Sequence, residues 1–142
     1  MYRNVVVAYD GSGGAEAALA RAVEIARRDE AALTVVEATA EQIPSLVPGA
    51  PRQAPPEAAA EARKELREAV ERLDPSLEAS PWVVGGPAAK AILAVAEDIE
   101  ADLIVTGSRN RGAVARTVLG SVSTEILHGA GCDVLVVQPG SD

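Results

Sequence analysis

A segment with glycine, serine and arginine, residues 107–121, holds the residue types that bind an anion. It reads GSRNRGAVARTVLGS, and it begins where one apolar run ends. Glycine lets backbone N–H groups approach an anion closely, and a helix N-terminus adds unpaired donors and a favourable dipole. Ser121 and Ser123 offer hydroxyl donors. Positive charge is concentrated in three arginines: Arg109, Arg111 and Arg116. The spacing alone fits a phosphate site or a solvated turn capped by Gly and Ser, and both interpretations stay open.

A second glycine-rich turn follows the first strongly apolar run of the chain. The run Val5–Ala8 continues into YDGSGG at positions 9–14, before a pattern of helical spacing begins. An unbroken apolar run is typical of a strand buried on both faces, and the Gly/Ser stretch after it is typical of a turn. Asp10 is either a ligand contact or ordinary turn chemistry, because Asp side chains bond their own backbone in turns.

Five short apolar runs alternate with four helical patterns along the chain. This alternation predicts an α/β fold: a single doubly wound, Rossmann-like domain in which helices cover both faces of a five-stranded parallel sheet. Because crossovers are right-handed, covering both faces requires the winding to reverse once, and ligands bind at that reversal. We expect the strand order 3-2-1-4-5, which brings both glycine-rich turns to one crevice. The expected strands are 5–8, 33–36, 82–84, 103–105 and 134–137.

Length and composition fit one domain over residues 1–142 and disfavour several kinds of function. The formal net charge of −8 disfavours nucleic acids and anionic membranes as partners. The single cysteine excludes an intrachain disulfide and a cysteine-rich zinc site. No apolar run approaches the roughly 20 residues of a membrane helix, and no signal-peptide pattern opens the chain. We therefore expect a cytoplasmic protein.

Residues 42–56 contain five prolines and no regular periodicity. Proline cannot continue a helix or a central strand, so this segment is predicted to be a flexible loop within the domain. Elsewhere we expect structural roles for Cys132, as a small core residue, and for His128, near a helix end. Four acidic residues around another helix end are expected to be solvated: Glu97, Asp98, Glu100 and Asp102.

The order ADLIVTGSRNRG, LGSVSTEIL and CDVLVV, with AYDGSGGAEAAL near the start, resembles the universal stress protein family. The resemblance runs from Val5 to Val137 and is weakest across the proline-rich segment. Nucleotide-binding members of the family carry a G-x2-G-x9-G-[ST] motif around the phosphates of ATP. The matching positions here are Gly107, Asn110, Gly120 and Ser121, so the second glycine is replaced. If that position needs a left-handed backbone, Asn costs on the order of 1–2 kcal/mol; if the missing Cβ makes room for phosphate, Asn would clash or swing outward. The rest of the motif is kept, which favours retained binding.

The resemblance implies an ATP site that the two glycine-rich turns form together. Ala8, Tyr9 and Asp10 match the strand end that meets the nucleoside, and Ala38 matches the position whose backbone meets adenine. Magnesium would arrive with ATP, and Asp10 is the candidate metal-side carboxylate. The remaining nucleotide-binding residues implied are Gly107, Ser108, Arg109, Asn110, Gly112, Gly120, Ser121, Val122 and Ser123.

Two alternatives to a regulatory ATP-binding protein stay open. Ser12–Ala17 is faintly similar to the SGGxDS loop of ATP pyrophosphatases, which leaves a slow ATP-hydrolysing enzyme possible although no catalytic residue stands out. The replacement at Asn110 leaves open an interaction module that has lost its ligand. The family commonly forms homodimers through the last strand, and an uncovered edge at Val134–Val137 favours the same pairing here.

Overall fold

The computed structural model describes residues 1–39, 59–108 and 120–139, and these ranges contain five strands and four helices. The predicted loop at 42–56 lies outside the described residues, as do Arg109, Asn110 and Gly112 of the predicted site. The elements in chain order are β1 Asn4–Ala8, α1 Gly13–Asp29, β2 Ala32–Thr39, α2 Ala60–Glu71, β3 Ala79–Gly85, α3 Ala88–Asp98, β4 Leu103–Gly107, α4 Ser121–Gly129 and β5 Asp133–Val137.

All five strands are parallel and lie in the order β3-β2-β1-β4-β5, so the predicted fold and strand order are confirmed. β1 pairs with β2 on one side, where Val7 lies opposite Val35, and with β4 on the other, where Val7 lies opposite Val105. The winding therefore reverses between β1 and β4. A ligand crevice is expected at the carboxyl ends of these two strands.

The sheet separates two apolar clusters, one on each face. Val5 and Val7 of β1 point to the cluster that α1 and α2 cover, and Val6 points to the cluster that α3 and α4 cover. All three valines are fully buried, as the apolar run predicts. Alanines such as Ala18 and Ala22 let α1 approach the sheet closely, which explains how a chain without Phe fills its core.

The two edge strands differ in how they are protected. β3 carries Pro81, which has no N–H to offer to another strand. β5 is an apolar run, but Val134 to Val136 are only partly buried, and within the strand Val137 alone is buried. The reason is topological: β5 has β4 as a neighbour on one side and no strand of the described sheet on the other.

At the amino ends of the strands, two aspartates accept hydrogen bonds from backbone N–H groups at the start of the chain. Asp102 accepts hydrogen bonds from the backbone N–H of Arg3 and of Asn4, at 2.9 and 3.0 Å. It therefore anchors the start of β1, which the expectation of simple solvation missed. Asp29 accepts from the Tyr2 N–H, and this hydrogen bond lowers the pKa of its carboxyl group. No helix within the described ranges is long and apolar enough to span a membrane.

Candidate functional site

A partly open cavity of about 460 Å³, its mouth included, lies at the carboxyl ends of β1 and β4. This is the reversal point of the sheet, where the sequence predicts the ligand crevice. Six of the predicted site residues line the cavity: Ala8, Tyr9, Asp10, Gly107, Val122 and Ser123. Both glycine-rich turns therefore contribute to one space.

Three other predicted residues surround the start of α4 without lining the cavity. Ser108 is buried, its N–H donates to the Val137 carbonyl at 2.9 Å, and its carbonyl accepts from the Gly120 N–H at 2.7 Å. Gly120 is the N-cap of α4, and Ser121 is its exposed first residue. These bonds connect the ends of β4 and β5 to the helix N-terminus and fix its position beside the cavity.

Ala38 is a predicted residue that belongs neither to the cavity lining nor to the start of α4. It stands on β2 opposite Val84 of β3 and packs against the apolar cluster under α3 and α4. It does not line the cavity. Its predicted contact with adenine stays a prediction.

The turn between β1 and α1 has a fixed geometry. The Ser12 N–H donates to Asp10 Oδ1 at 2.9 Å, and Ser12 Oγ caps α1 by accepting from the Ala15 N–H at 3.2 Å. Gly11 has a φ of 81°, a left-handed conformation that glycine adopts without strain. The carboxylate of Asp10 is therefore held in place by the turn chemistry that the sequence suggested.

The N-terminus of α4 presents backbone donors to the cavity. Gly120 supplies no side-chain cap, and no other side chain of the described residues caps the helix there. The hydroxyls of Ser123 and Thr124 instead approach the Gly120 carbonyl, at 3.0 and 2.9 Å. Within the part of the chain that the structure describes, no side chain accepts from the first N–H groups of α4, which suit an anion, and the helix dipole adds to the attraction.

α3 begins at the same end of the sheet. Its N-cap is Pro87, which makes no side-chain cap, and Ala88 in its first turn lines the cavity. With the start of α1 also present, the positive ends of three helices converge on this space. Their combined field favours a negatively charged ligand.

The Tyr9 side chain is bonded within the protein, although the residue lines the cavity. It is buried in the cluster under α1 and α2, and its hydroxyl donates to Glu16 Oε2 at 2.5 Å. Arg72 Nη2 lies 3.4 Å from the same Glu16 oxygen. Burial, followed by the bond to Glu16, raises the pKa of Tyr9 to about 12, so the phenol is neutral at physiological pH. Tyr9 therefore links the turn after β1 to α1 and, through Glu16 and Arg72, to the end of α2.

Sequence reasoning missed five residues that line the cavity: Ser12, Ala15, Ala88, Ile92 and Thr106. Ala88 and Ile92 share a helical spacing of four residues, which predicts one face of a helix but does not reveal that the face ends at a cavity. Thr106 could have been found from strand periodicity, because it lies two residues beyond Ile104 and shares its side of β4. Among the described residues, no three His, Cys, Asp or Glu side chains gather as a metal site.

The fold and the cavity define a Rossmann-like α/β domain with a small-ligand crevice at its reversal point. The sequence pattern of the Universal stress protein family matches residues 1–138, so this chain belongs to the universal stress protein family.

Relatives in two staphylococci agree with this assignment. The chain is 35% identical over 145 residues to a putative universal stress protein of Staphylococcus epidermidis, covering 96% of this chain and 84% of the relative. It is 34% identical over 140 residues to one from Staphylococcus aureus, with the same coverage of both chains.

Solved structures of the family share the fold. A universal stress protein in complex with cAMP is 28% identical, with a TM-score of 0.74 and 98% of each chain covered. A universal stress protein from Lactobacillus plantarum is 25% identical, with a TM-score of 0.76 over 96% of this chain and 97% of the other. One from Archaeoglobus fulgidus in complex with dAMP is 25% identical, with a TM-score of 0.69 over 95% and 97%.

Proposed function

We propose that this chain is a cytoplasmic adenine-nucleotide-binding protein that takes ATP and acts as a regulatory or stress-response module. The observation that carries the proposal is the N-terminus of α4: no described side chain caps it, and its residues Val122 and Ser123 line the cavity at the reversal of the sheet. Related structures that hold cAMP and dAMP support an adenine nucleotide as the ligand.

The residues present fit such a ligand. Phosphate oxygens would accept from the first N–H groups of α4, near Gly120 and Ser121, where the helix dipole favours negative charge. Ala8, Ile92 and Val122 give the cavity an apolar wall for the less polar part of the nucleotide. The negative net charge of the whole protein does not oppose this, because a small anion responds chiefly to the local field.

Asp10 is the carboxylate that would contact magnesium or the ribose. Its position beside the cavity and its fixed side chain suit either role. A single carboxylate does not make a protein metal site, so in this proposal magnesium enters as the partner of ATP. Asp10 is also the one ionisable side chain other than Tyr9 that lines the described cavity, which favours binding over hydrolysis.

Calorimetric titration of nucleotide-free protein with adenosine, AMP and ATP, with and without magnesium, tests the proposal. We expect affinity to increase with the number of phosphates and to decrease as salt is added, because each phosphate gains from the helix dipoles and salt screens them. ATP should also raise the thermal midpoint, since it binds only the folded state. No saturable heat and no stabilisation at millimolar ATP would refute the proposal and favour a ligand-free interaction module.

We propose further that the chain forms a homodimer through β5. The strand is half-exposed, its outer backbone groups face no strand of the described sheet, and it lacks a proline such as Pro81 on β3. An unprotected apolar edge of this kind is a template for pairing with a second copy.

Sedimentation analysis across a concentration series tests the dimer. We expect the wild type to approach twice the monomer mass, and Val136→Lys to stay monomeric because a lysine at the edge opposes strand pairing. Ser80→Lys, at an exposed position of the opposite edge strand, is the matched control and should remain dimeric. A wild-type mass that stays monomeric at every concentration contradicts the proposal.

A further inference from the structure

Thr106 places a hydroxyl group on the wall of the cavity. It lies on β4, is 4% exposed, and lines the cavity together with Ala8. Val7 of β1 lies opposite Val105 of β4. Thr106 is the next residue of β4, and Gly107 is the last. Thr106 therefore lies at the carboxyl end of β4, one position before Gly107.

The hydrogen-bonding capacity of this hydroxyl is poorly used. Within the described part of the chain, Thr106 Oγ1 approaches the Gly107 carbonyl oxygen at 3.4 Å, which is long for a bond donated by a hydroxyl. A hydroxyl offers one proton and two lone pairs, and burial withholds water from most of them. A valine of the same shape would avoid this cost, so folding alone gives little reason for threonine here.

Ser123 is the neighbouring hydroxyl, and its situation differs. It is 1% exposed, and its Oγ lies 3.0 Å from the Gly120 carbonyl and 3.3 Å from the Ser108 carbonyl. Its single proton is committed to these backbone groups, which hold the start of α4. Of these two neighbouring hydroxyls, Thr106 is thus the better placed to serve a ligand.

We infer that Thr106 is a specificity-determining residue that hydrogen-bonds a hydroxyl of the ligand's ribose. The inference rests on the proposed function, and it names the residue that recognises the sugar of the nucleotide. Ser123 lies in the first turn of α4, where the phosphates would bind, and it lines the same cavity as Thr106. In a nucleotide the sugar is attached to the phosphates. If the phosphates bind at the first turn of α4, the sugar is therefore the part that reaches the Thr106 hydroxyl.

Calorimetric titration of the wild type and Thr106→Val with ATP, 2′-deoxyATP and 3′-deoxyATP, all with magnesium, tests this. Loss of one hydrogen bond should weaken ATP binding roughly 3- to 10-fold. The difference between the two proteins should vanish for the analogue that lacks the contacted hydroxyl. Thr106→Ser, which keeps the hydroxyl, should retain the wild-type preference among the three nucleotides.

Two controls separate this role from a structural one. Thr34→Val makes the same change in the buried part of β2, away from the cavity, and should leave all three affinities unchanged. Without nucleotide, Thr106→Val should unfold at the wild-type temperature or above it, because it removes a poorly bonded buried hydroxyl.

Each outcome separates the inference from the proposed function. Unchanged ATP affinity in Thr106→Val, or an equal loss for all three nucleotides, overturns the inference while the proposed function stands. A wild type that binds none of the three defeats the proposed function and this inference with it.

Discussion

Gly120→Asp is expected to weaken ATP binding by at least roughly 100-fold while the fold stays as stable as that of the wild type. Gly120 has a φ of −68° and a ψ of 162°, a conformation that any residue adopts, so an added side chain brings no backbone strain. Asp is among the best N-cap residues, and replacing a glycine cap changes stability by only a few tenths of a kcal/mol. The variant therefore keeps α4.

The loss of binding has two physical causes. The new carboxylate accepts from the N–H groups at the start of α4 and so occupies the donors that a phosphate would use. It also places a negative charge beside the phosphates, and two unit charges about 4 Å apart interact by roughly 4 kcal/mol at an effective dielectric constant of 20. Salt screening reduces this value, which is why we expect a loss of roughly 100-fold as the lower bound.

Gly120→Asn is the matched control for the charge. Asn caps the helix through a side-chain oxygen in the same way, but it carries no charge, so its affinity for ATP should lie between those of the wild type and Gly120→Asp. Calorimetric titration measures the three affinities, and thermal unfolding without nucleotide compares the three folds. If Gly120→Asp binds ATP as tightly as the wild type, the phosphates do not lie at the N-terminus of α4.

The fold could be predicted because its signals are local. The run Val5–Ala8 is apolar at every position, as a strand covered on both faces requires, and Val5, Val6 and Val7 are buried. The start of α4 followed from Gly120 and Ser121 for the same reason, since caps are decided by neighbouring residues. β2 and β3 extend beyond their apolar runs, because pairing continues through residues such as Glu37 and Ser80.

Contacts between distant residues could not be predicted in this way. Asp102 was expected to be solvated, but it anchors the N–H of Asn4, which lies 98 residues away in sequence. Tyr9 lines the cavity, and its predicted contact with a nucleotide stays a prediction, whereas the bond of its hydroxyl to Glu16 depends on which face of β1 the α1 helix covers. Thr106 lies outside the predicted strand because the apolar run ends at Val105. These roles arise from the packing of elements and leave no local pattern.

Ile104→Ala is expected to destabilise the protein by roughly 2–5 kcal/mol. Ile104 is fully buried on β4, between Val6 of β1 and Val134 of β5, and belongs to the cluster under α3 and α4. The loss combines the transfer energy of the missing atoms with the cavity left behind. It is a large share of the roughly 5–15 kcal/mol that stabilises a typical domain, and equilibrium urea unfolding measures it.

The composition of this chain makes Ile104 especially important. The core contains no Phe, and among fully buried side chains of the described residues only Leu33, Leu66, Ile104 and Ile126 are larger than valine. Ile104→Val, which removes one methylene, should cost about 0.5–1.5 kcal/mol. Leu127→Ala, at a position 42% exposed, should stay within about 0.5 kcal/mol of the wild type. A loss at Ile104→Ala no larger than that at Leu127→Ala would mean that the α3/α4 face can repack around the gap, and that this cluster is not tightly packed.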